Sequence, residues 1–300
     1  MDITVTNQKE IEFTDYATYK QTLDQELQQA AEGFVMIGYM MKQARDTDIL
    51  QGSGYSNVNE FAQAEYGIDK SVVSRYIRIN DKFSEDGNSP YLQEQYRRYG
   101  YAKLSLMLQL PEEINDQLTP EYTKAEIQSI KEAVDEEQEK TDIEVMLEDK
   151  PEWSDQEESL LMKVAKQIIH DDTDLYEALV EEVQKENSDL AGIMAPNGDA
   201  MYSIRIAGVG RMMLTFKDGS EDISLVNVRS GETSTYGLHE LEHAYMELLM
   251  GVEQLKERWI QIFGEPYPEA AEQPEESKPK AKESKVKRLD KPKKPAKTPS

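Results

Sequence analysis

The sequence specifies a mainly α-helical chain: a helical domain with a helix-turn-helix, a helical acidic middle, a small α+β C-terminal module made of a β-meander plus a long helix, and a disordered basic tail. Three observations predict it. Two stretches, one near each end, place apolar residues at alternating steps of four and three, the period of a helix face. From residue 200 the pattern changes to short β-prone runs separated by Gly-containing turns. After Gly264 the chain becomes a mixture of Pro, Glu and Lys without a packable face.

A start with scattered apolar residues (Ile3, Val5, Ile11, Phe13) precedes the first helix, whose stripe is Leu23, Leu27, Ala30, Phe34, Ile37, Met41 and Ala44. An unbroken stripe of this kind seats a core helix. QGSGYSN interrupts it. Asn57 caps a short helix over 58–66, and Gly67 ends that helix because glycine tolerates the left-handed backbone. Asp69 caps the next helix, which runs to about residue 83. Short helices follow over 91–99 and 102–110, another starts at Pro111, and one covers 123–134, closing a helical domain of residues 1–134. Residues 135–153 read as an acidic linker. A helical pair occupies 154–192, with Leu160, Leu161, Val164 and Ile168 on one face and Leu175, Leu179 and Val183 on the other. Strands over 201–207, 211–216, 223–229 and 233–236 then lead into a long helix. Its stripe, from Leu241 through Tyr245, Leu248, Val252, Leu255 and Trp259 to Ile262, again steps by four and three. This module spans 200–264, and residues 265–300 are a Lys/Pro-rich tail.

Composition narrows the function. Hydrophobic residues make up 38% of the chain, below the roughly 45–50% of globular domains. No cysteine is present, which excludes disulfides, thiolate metal sites and a thiol nucleophile. No run approaches a membrane span, and the polar, acidic N-terminus is no signal peptide, so a cytoplasmic protein without a membrane partner is expected. The net charge of −25 is uneven. Residues 133–200 hold 5 basic and 21 acidic side chains, whereas 70–110 hold seven basic and four acidic, and 277–300 hold ten basic and two acidic. A basic stretch inside an acidic protein marks where an anion would bind.

That stretch contains NEFAQAEYGIDKSVVSRYIRIND, residues 59–81. A helix, a three-residue turn holding Gly67 and a second helix give the helix-turn-helix layout over about 57–83. Ala62 is small where the helices would cross. On the second helix Val72, Val73, Tyr76, Ile79 and Phe83 face inward, leaving Ser71, Ser74, Arg75, Arg78 and Lys82 on the opposite face. Arginine can take guanine O6 and N7 together, serines can bond phosphate or base edges, and N-terminal amides attract phosphate. The DNA-binding set is therefore Lys70, Ser71, Ser74, Arg75, Arg78 and Lys82, with Arg75 and Arg78 on bases or backbone and Lys70 and Lys82 on phosphates.

GIDKSVVSRYIRIND, followed by YAKLSLMLQLPEEINDQL, resembles the helix-turn-helix region of ParB/KorB-type partition and repressor proteins. The match spans about residues 61–118 and is carried by Gly67, Ile68, Ser71, Val73, Ser74 and Arg75. The Arg-rich nucleotide-binding domain that precedes this region in chromosomal partition proteins has no counterpart in residues 1–56, so CTP-driven clamping is not implied. What the resemblance implies is a double-stranded DNA partner and a regulator or partition-like protein of a plasmid, phage or conjugative element. Paired half-sites would make it a homodimer.

A second motif, His239-Glu240-Leu241-Glu242-His243, satisfies H-E-x-x-H on a helix, where two histidines chelate zinc and the glutamate activates water. Against a zinc metallopeptidase stand the charge of Glu242, the absence of a following H-x-x-G-x-x-H, and third-ligand choices, Glu265 and Glu269, that fall in the Pro-rich tail. His239 and His243 remain candidate metal ligands only, and no metal or other cofactor is expected. His170, beside Asp171, Asp172 and Asp174, reads as a helix-terminal cap that balances charge. The expectation is a DNA-binding protein and not an enzyme. The alternative is an acidic protein-interaction protein or DNA mimic with a basic protein partner for its acidic middle.

Overall fold

The computed structural model describes residues 16–154, 157–186, 188–251, 254–268 and 287–288. The apolar-alternating start and most of the basic tail lie outside these residues. The protein is mainly helical with a small antiparallel sheet. It forms two compact units, Met1–Leu108 and Gln109–Ser300, so the division falls well before the expected one at residue 134.

The first unit is built on α1 (Tyr16–Asp46), α2 (Val58–Tyr66), α3 (Lys70–Phe83) and α4 (Gly100–Met107). Among the described side chains of α1, the buried ones lie in its second half. Val35 and Met41 are buried, while Leu23 is 42% exposed and Ala30 is also exposed. Met41, Val58, Ala62, Val73 and Ile77 form one apolar cluster that joins α1, α2 and α3. The segment 91–99, expected as a helix, instead pairs at Leu92 with Ser84 and makes one short 3-10 turn, Glu94–Tyr96. Polar ties fix this loop against the helices. Asn80 Nδ2 donates to Val35 O and Ser89 O, and Lys42 Nζ donates to Gly87 O while pairing with Asp81 at 2.7 Å.

The second unit carries α5 (Glu112–Asn115), α6 (Lys124–Gln138), α7 (Asp142–Met146), α8 (Leu160–Asp171), α9 (Thr173–Glu182) and α10 (Leu190–Met194). A meander follows: β1 (Ala200–Ile206), β2 (Gly210–Phe216), β3 (Asp222–Asn227) and β4 (Thr233–Gly237). Strand order is β4-β3-β2-β1, with Ala200 opposite Phe216 and Met213 opposite Val226, and a two-residue β5 (Lys287–Arg288) lies antiparallel beside β1. α11 (Leu238–Leu249) and α12 (Leu255–Phe263) complete the unit. The long closing helix expected from the sequence is thus two helices. The four-three stripe continues across the break, but Gly251 takes a left-handed φ of 84° that a helix cannot hold.

Alternate strand residues enter different surroundings. Tyr202, Ile204, Met212, Leu214, Ile223 and Leu225 join a core with α8, α9, α11 and α12, so the expected helical pair and meander share one interior. Arg205, Arg211 and, beyond β3, Arg229 meet α6 and α7. Arg205 pairs with Glu137 and Glu148, Arg211 with Glu136, and Arg229 with Glu137 and Asp142. The stretch 135–153 is therefore no linker. Glu136, Glu137, Asp142 and Glu148 are counter-ions to the arginines of the meander, Val145 is buried, and Glu137 is 1% exposed. No helix among the described residues is long and apolar enough to cross a membrane.

Candidate nucleic-acid interface

The site begins with local capping. Asn57 Oδ1 accepts from the amides of Asn59 and Glu60 at 3.0 and 3.1 Å, which starts α2. At its other end Gly67 adopts φ 67°, its amide bonds Gln63 O, and Ile68 N bonds Ala62 O. Ala62 is fully buried, leaving α2 room to approach its neighbours. Three residues after α2 ends, Asp69 caps α3 by accepting from Ser71 N at 2.8 Å and Val72 N at 3.1 Å. The Ser71 hydroxyl also donates to Asp69, at 2.6 Å. That bond first, then the amides and the nearby charge of Arg75, hold the Asp69 carboxyl below its ordinary range.

α3 buries Val73, Ile77, Ile79, Asn80 and Phe83. Val72 and Tyr76, expected inside, are only partly covered, and Tyr76 stacks 5.6 Å from Phe34 at an interplanar angle of 13°. Burial, with the neighbouring Tyr101, pushes the Tyr76 hydroxyl above its ordinary pKa. On the other side Lys70, Ser71, Ser74, Arg75 and Arg78 are exposed. They share a surface because they recur at steps of three and four.

The six expected contact residues are not equivalent. Lys82 Nζ turns back to donate to the Met107 carbonyl at the end of α4, which makes it a tie within the unit and not a free phosphate contact. Ser71 spends its hydroxyl on Asp69, a claim already legible in the Asp-x-Ser spacing of the cap. Lys70, Ser74, Arg75 and Arg78 remain. Arg45, Arg97, Arg205, Arg211, Arg229 and Arg258 are each held by a carboxylate or carbonyl partner. Arg75 and Arg78, by contrast, make neither hydrogen bond nor ion pair among the described residues.

The histidine motif is differently placed. His239 and His243 are exposed on the first turns of α11, and Glu240 accepts from the Gly237 amide at 2.8 Å. Among the described residues no three His, Cys, Asp or Glu side chains come together as metal ligands. Glu265, one third-ligand choice, bonds His170 Nε2 at 2.9 Å, and Glu269 lies outside the described residues. Neither a protein-family model nor a curated protein nor a solved structure matches this chain.

Proposed function

We propose that this chain is a sequence-specific DNA-binding protein, a transcriptional regulator or partition-like protein of a plasmid, phage or conjugative element. It reads duplex DNA through α2, the turn and α3, as a cytoplasmic homodimer, without cofactor and without enzymatic activity. One observation carries the reading: Arg75 and Arg78 stand exposed on one face of α3, with no hydrogen bond or ion pair among the described residues, in a chain with 59 acidic and 34 basic side chains. Where carboxylates are in such excess, two adjacent unpaired guanidinium groups are a surface suited to an external anion. Guanine edges and phosphates are the ligands that match their forked donors.

The test is duplex binding across a salt series by the full chain and by Arg75→Ala/Arg78→Ala. Expected is at least one DNA fragment bound more than about a thousandfold tighter than bulk DNA, with that preference lost in the double variant. Absence of binding at low salt, or binding indifferent to both substitutions, refutes the reading.

A second reading has its own support. Ile143, Met146 and Leu147 are each more than two-thirds exposed, between Asp142, Glu144 and Glu148. Asp142 and Glu148 are held by Arg229 and Arg205, so the patch is chiefly apolar with Glu144 beside it, and it fits an apolar partner segment that carries a basic residue. Loss of partner capture on Met146→Ser/Leu147→Ser, with DNA binding absent, would move this reading to first place.

A further inference from the structure

The exposed side of α3 divides into two rows. Lys70, Ser74 and Arg78 follow one another at steps of four, and Ser71, Arg75 and Lys82 form the adjacent row. Only the first row borders a groove of about 620 Å³ that lies between α3 and residues 47–59. Its apolar lining includes Val73 and Ile77, and Tyr55 and Asn59 line it from outside α3. Arg75 is not among its lining residues.

We propose that this groove seats the sugar–phosphate backbone of one DNA strand, with Lys70 and Arg78 holding phosphates, while Arg75 outside it reads base edges. The assignment rests on the DNA-binding reading and deepens it. Lys70 and Arg78 are eight residues apart, about 12 Å of helix rise, and a DNA strand carries a phosphate every 3.4 Å or so of its axis. The groove wall is therefore long enough to meet more than one phosphate. Ser74 lies between the two cations and Asn59 faces them, so neutral donors are available between the charges. Three further charged residues line the groove. Asp81 is neutralised by Lys42 and Arg45 is occupied by Asp46. Asp48 has no cationic partner among the described residues and opposes an anion in the groove. In the outer row, the Ser71 hydroxyl is taken by Asp69 and Lys82 by the Met107 carbonyl, which leaves Arg75 as the side chain free to enter a base edge.

The two roles separate in a salt titration. Each lost phosphate contact flattens the log–log slope by about 0.9 and weakens all sequences alike, whereas a lost base contact lowers the ratio between sequences. The probes are the tightest duplex selected by the full-length protein from a random-sequence pool and a scrambled duplex of equal length. Lys70→Ala and Arg78→Ala are expected to flatten the slope and preserve the ratio. Arg75→Ala should cut the ratio roughly five- to hundredfold. Asp48→Asn should tighten both duplexes equally, and Ser74→Trp, which fills the groove from an exposed position, should abolish binding of both without lowering Tm. If Arg78→Ala changes the ratio and leaves the slope, or Ser74→Trp binds normally, the groove assignment is overturned while DNA binding stands. If the unsubstituted protein binds neither duplex at low salt, the DNA reading itself fails and the groove assignment with it.

Discussion

Gly38 of α1 lies directly against the backbone carbonyl of Tyr76 in α3, with no side chain between the two helices at that point. A Cβ on residue 38 would overlap the Tyr76 carbonyl oxygen and stand 3.0 Å from Asn80 Cβ. Four residues further along α3, the Asn80 amide closes the same contact by donating to Val35 O at 3.1 Å. Together these fix which edge of α3 faces α1, and so which edge is left to carry Lys70, Ser74 and Arg78.

Gly38→Ala is therefore expected to destabilise the first unit by about 1–3 kcal/mol, the usual cost of overpacking, because backbone atoms and not a flexible side chain must give way. Gly33→Ala is the internal control. It lies on the same helix with nothing within 4 Å of a new Cβ, so it should be neutral or stabilising by up to about 1 kcal/mol. Urea denaturation followed by circular dichroism reads both. Equal effects from the two substitutions would show that the close approach is not what sets the packing.

Lys82→Met should behave as a structural variant. The Nζ bond to Met107 O joins the end of α3 to the end of α4, and a net hydrogen bond from a charged group contributes about 1.5–3 kcal/mol, toward the lower figure where it is partly solvated. The expectation is a lowered Tm with the DNA salt slope unchanged. A flattened slope with Tm intact would restore Lys82 to the phosphate-binding set.

Glu137 is the carboxylate on which the sheet's arginines converge, with one oxygen toward Arg205 and the other 3.1 Å from Arg229 Nε. The largest single influence on the Arg205 pKa is burial, which lowers it. The hydrogen bonds and charges of Glu148 and Glu137 more than offset that, so its pKa is raised. Removing one partner of a buried pair costs about 3–5 kcal/mol. Arg205 keeps Glu148 and Arg229 keeps Asp142, so about 2–3 kcal/mol is expected for Glu137→Ala. Glu132→Ala, on the same helix, removes an exposed carboxylate whose partner is the Gln128 amide and should cost below about 1 kcal/mol. Similar losses for the two would contradict the central place given to Glu137.

These contacts show what the sequence could convey and what it could not. Asn57, Gly67 and Asp69 announce the ends of α2 and α3 through side-chain and backbone preferences that act within three residues, and the observed bounds follow them. Asn80 is polar, so periodicity assigns it to the surface, yet it is fully buried because its amide has two carbonyls to satisfy. The ion pairs from Glu137 to Arg205 and Arg229 join residues 68 and 92 positions apart, and local patterning carries no signal at that range. Hence 135–153 resembled a solvated linker. Of the candidate site, the row Lys70, Ser74 and Arg78 was legible as helix spacing, whereas the groove beside it depends on how α1 and α2 place residues 47–59.

His170 supplies a pH-dependent prediction whose sign follows from its surroundings. The ring ends α8, stacks on Trp259 at 5.6 Å and 18°, and is flanked by Trp153 and Phe263. Burial is the largest single influence and lowers its pKa. The hydrogen bonds and charges of Asp171 and Glu265 outweigh it, so the pKa is raised above 6.5. The folded protein thus holds this proton more tightly than the unfolded chain does. The stability gained is fully present below about pH 6.5 and is lost as pH rises through the folded value. His170→Gln should flatten that part of the profile, and Glu265→Gln should weaken it, because Glu265 reaches His170 from the segment just after α12. Tm measured from pH 5.5 to 8.5 reads all three proteins. If the unsubstituted protein gains stability across that range relative to His170→Gln, the imidazolium is not what fastens residue 265 to α8.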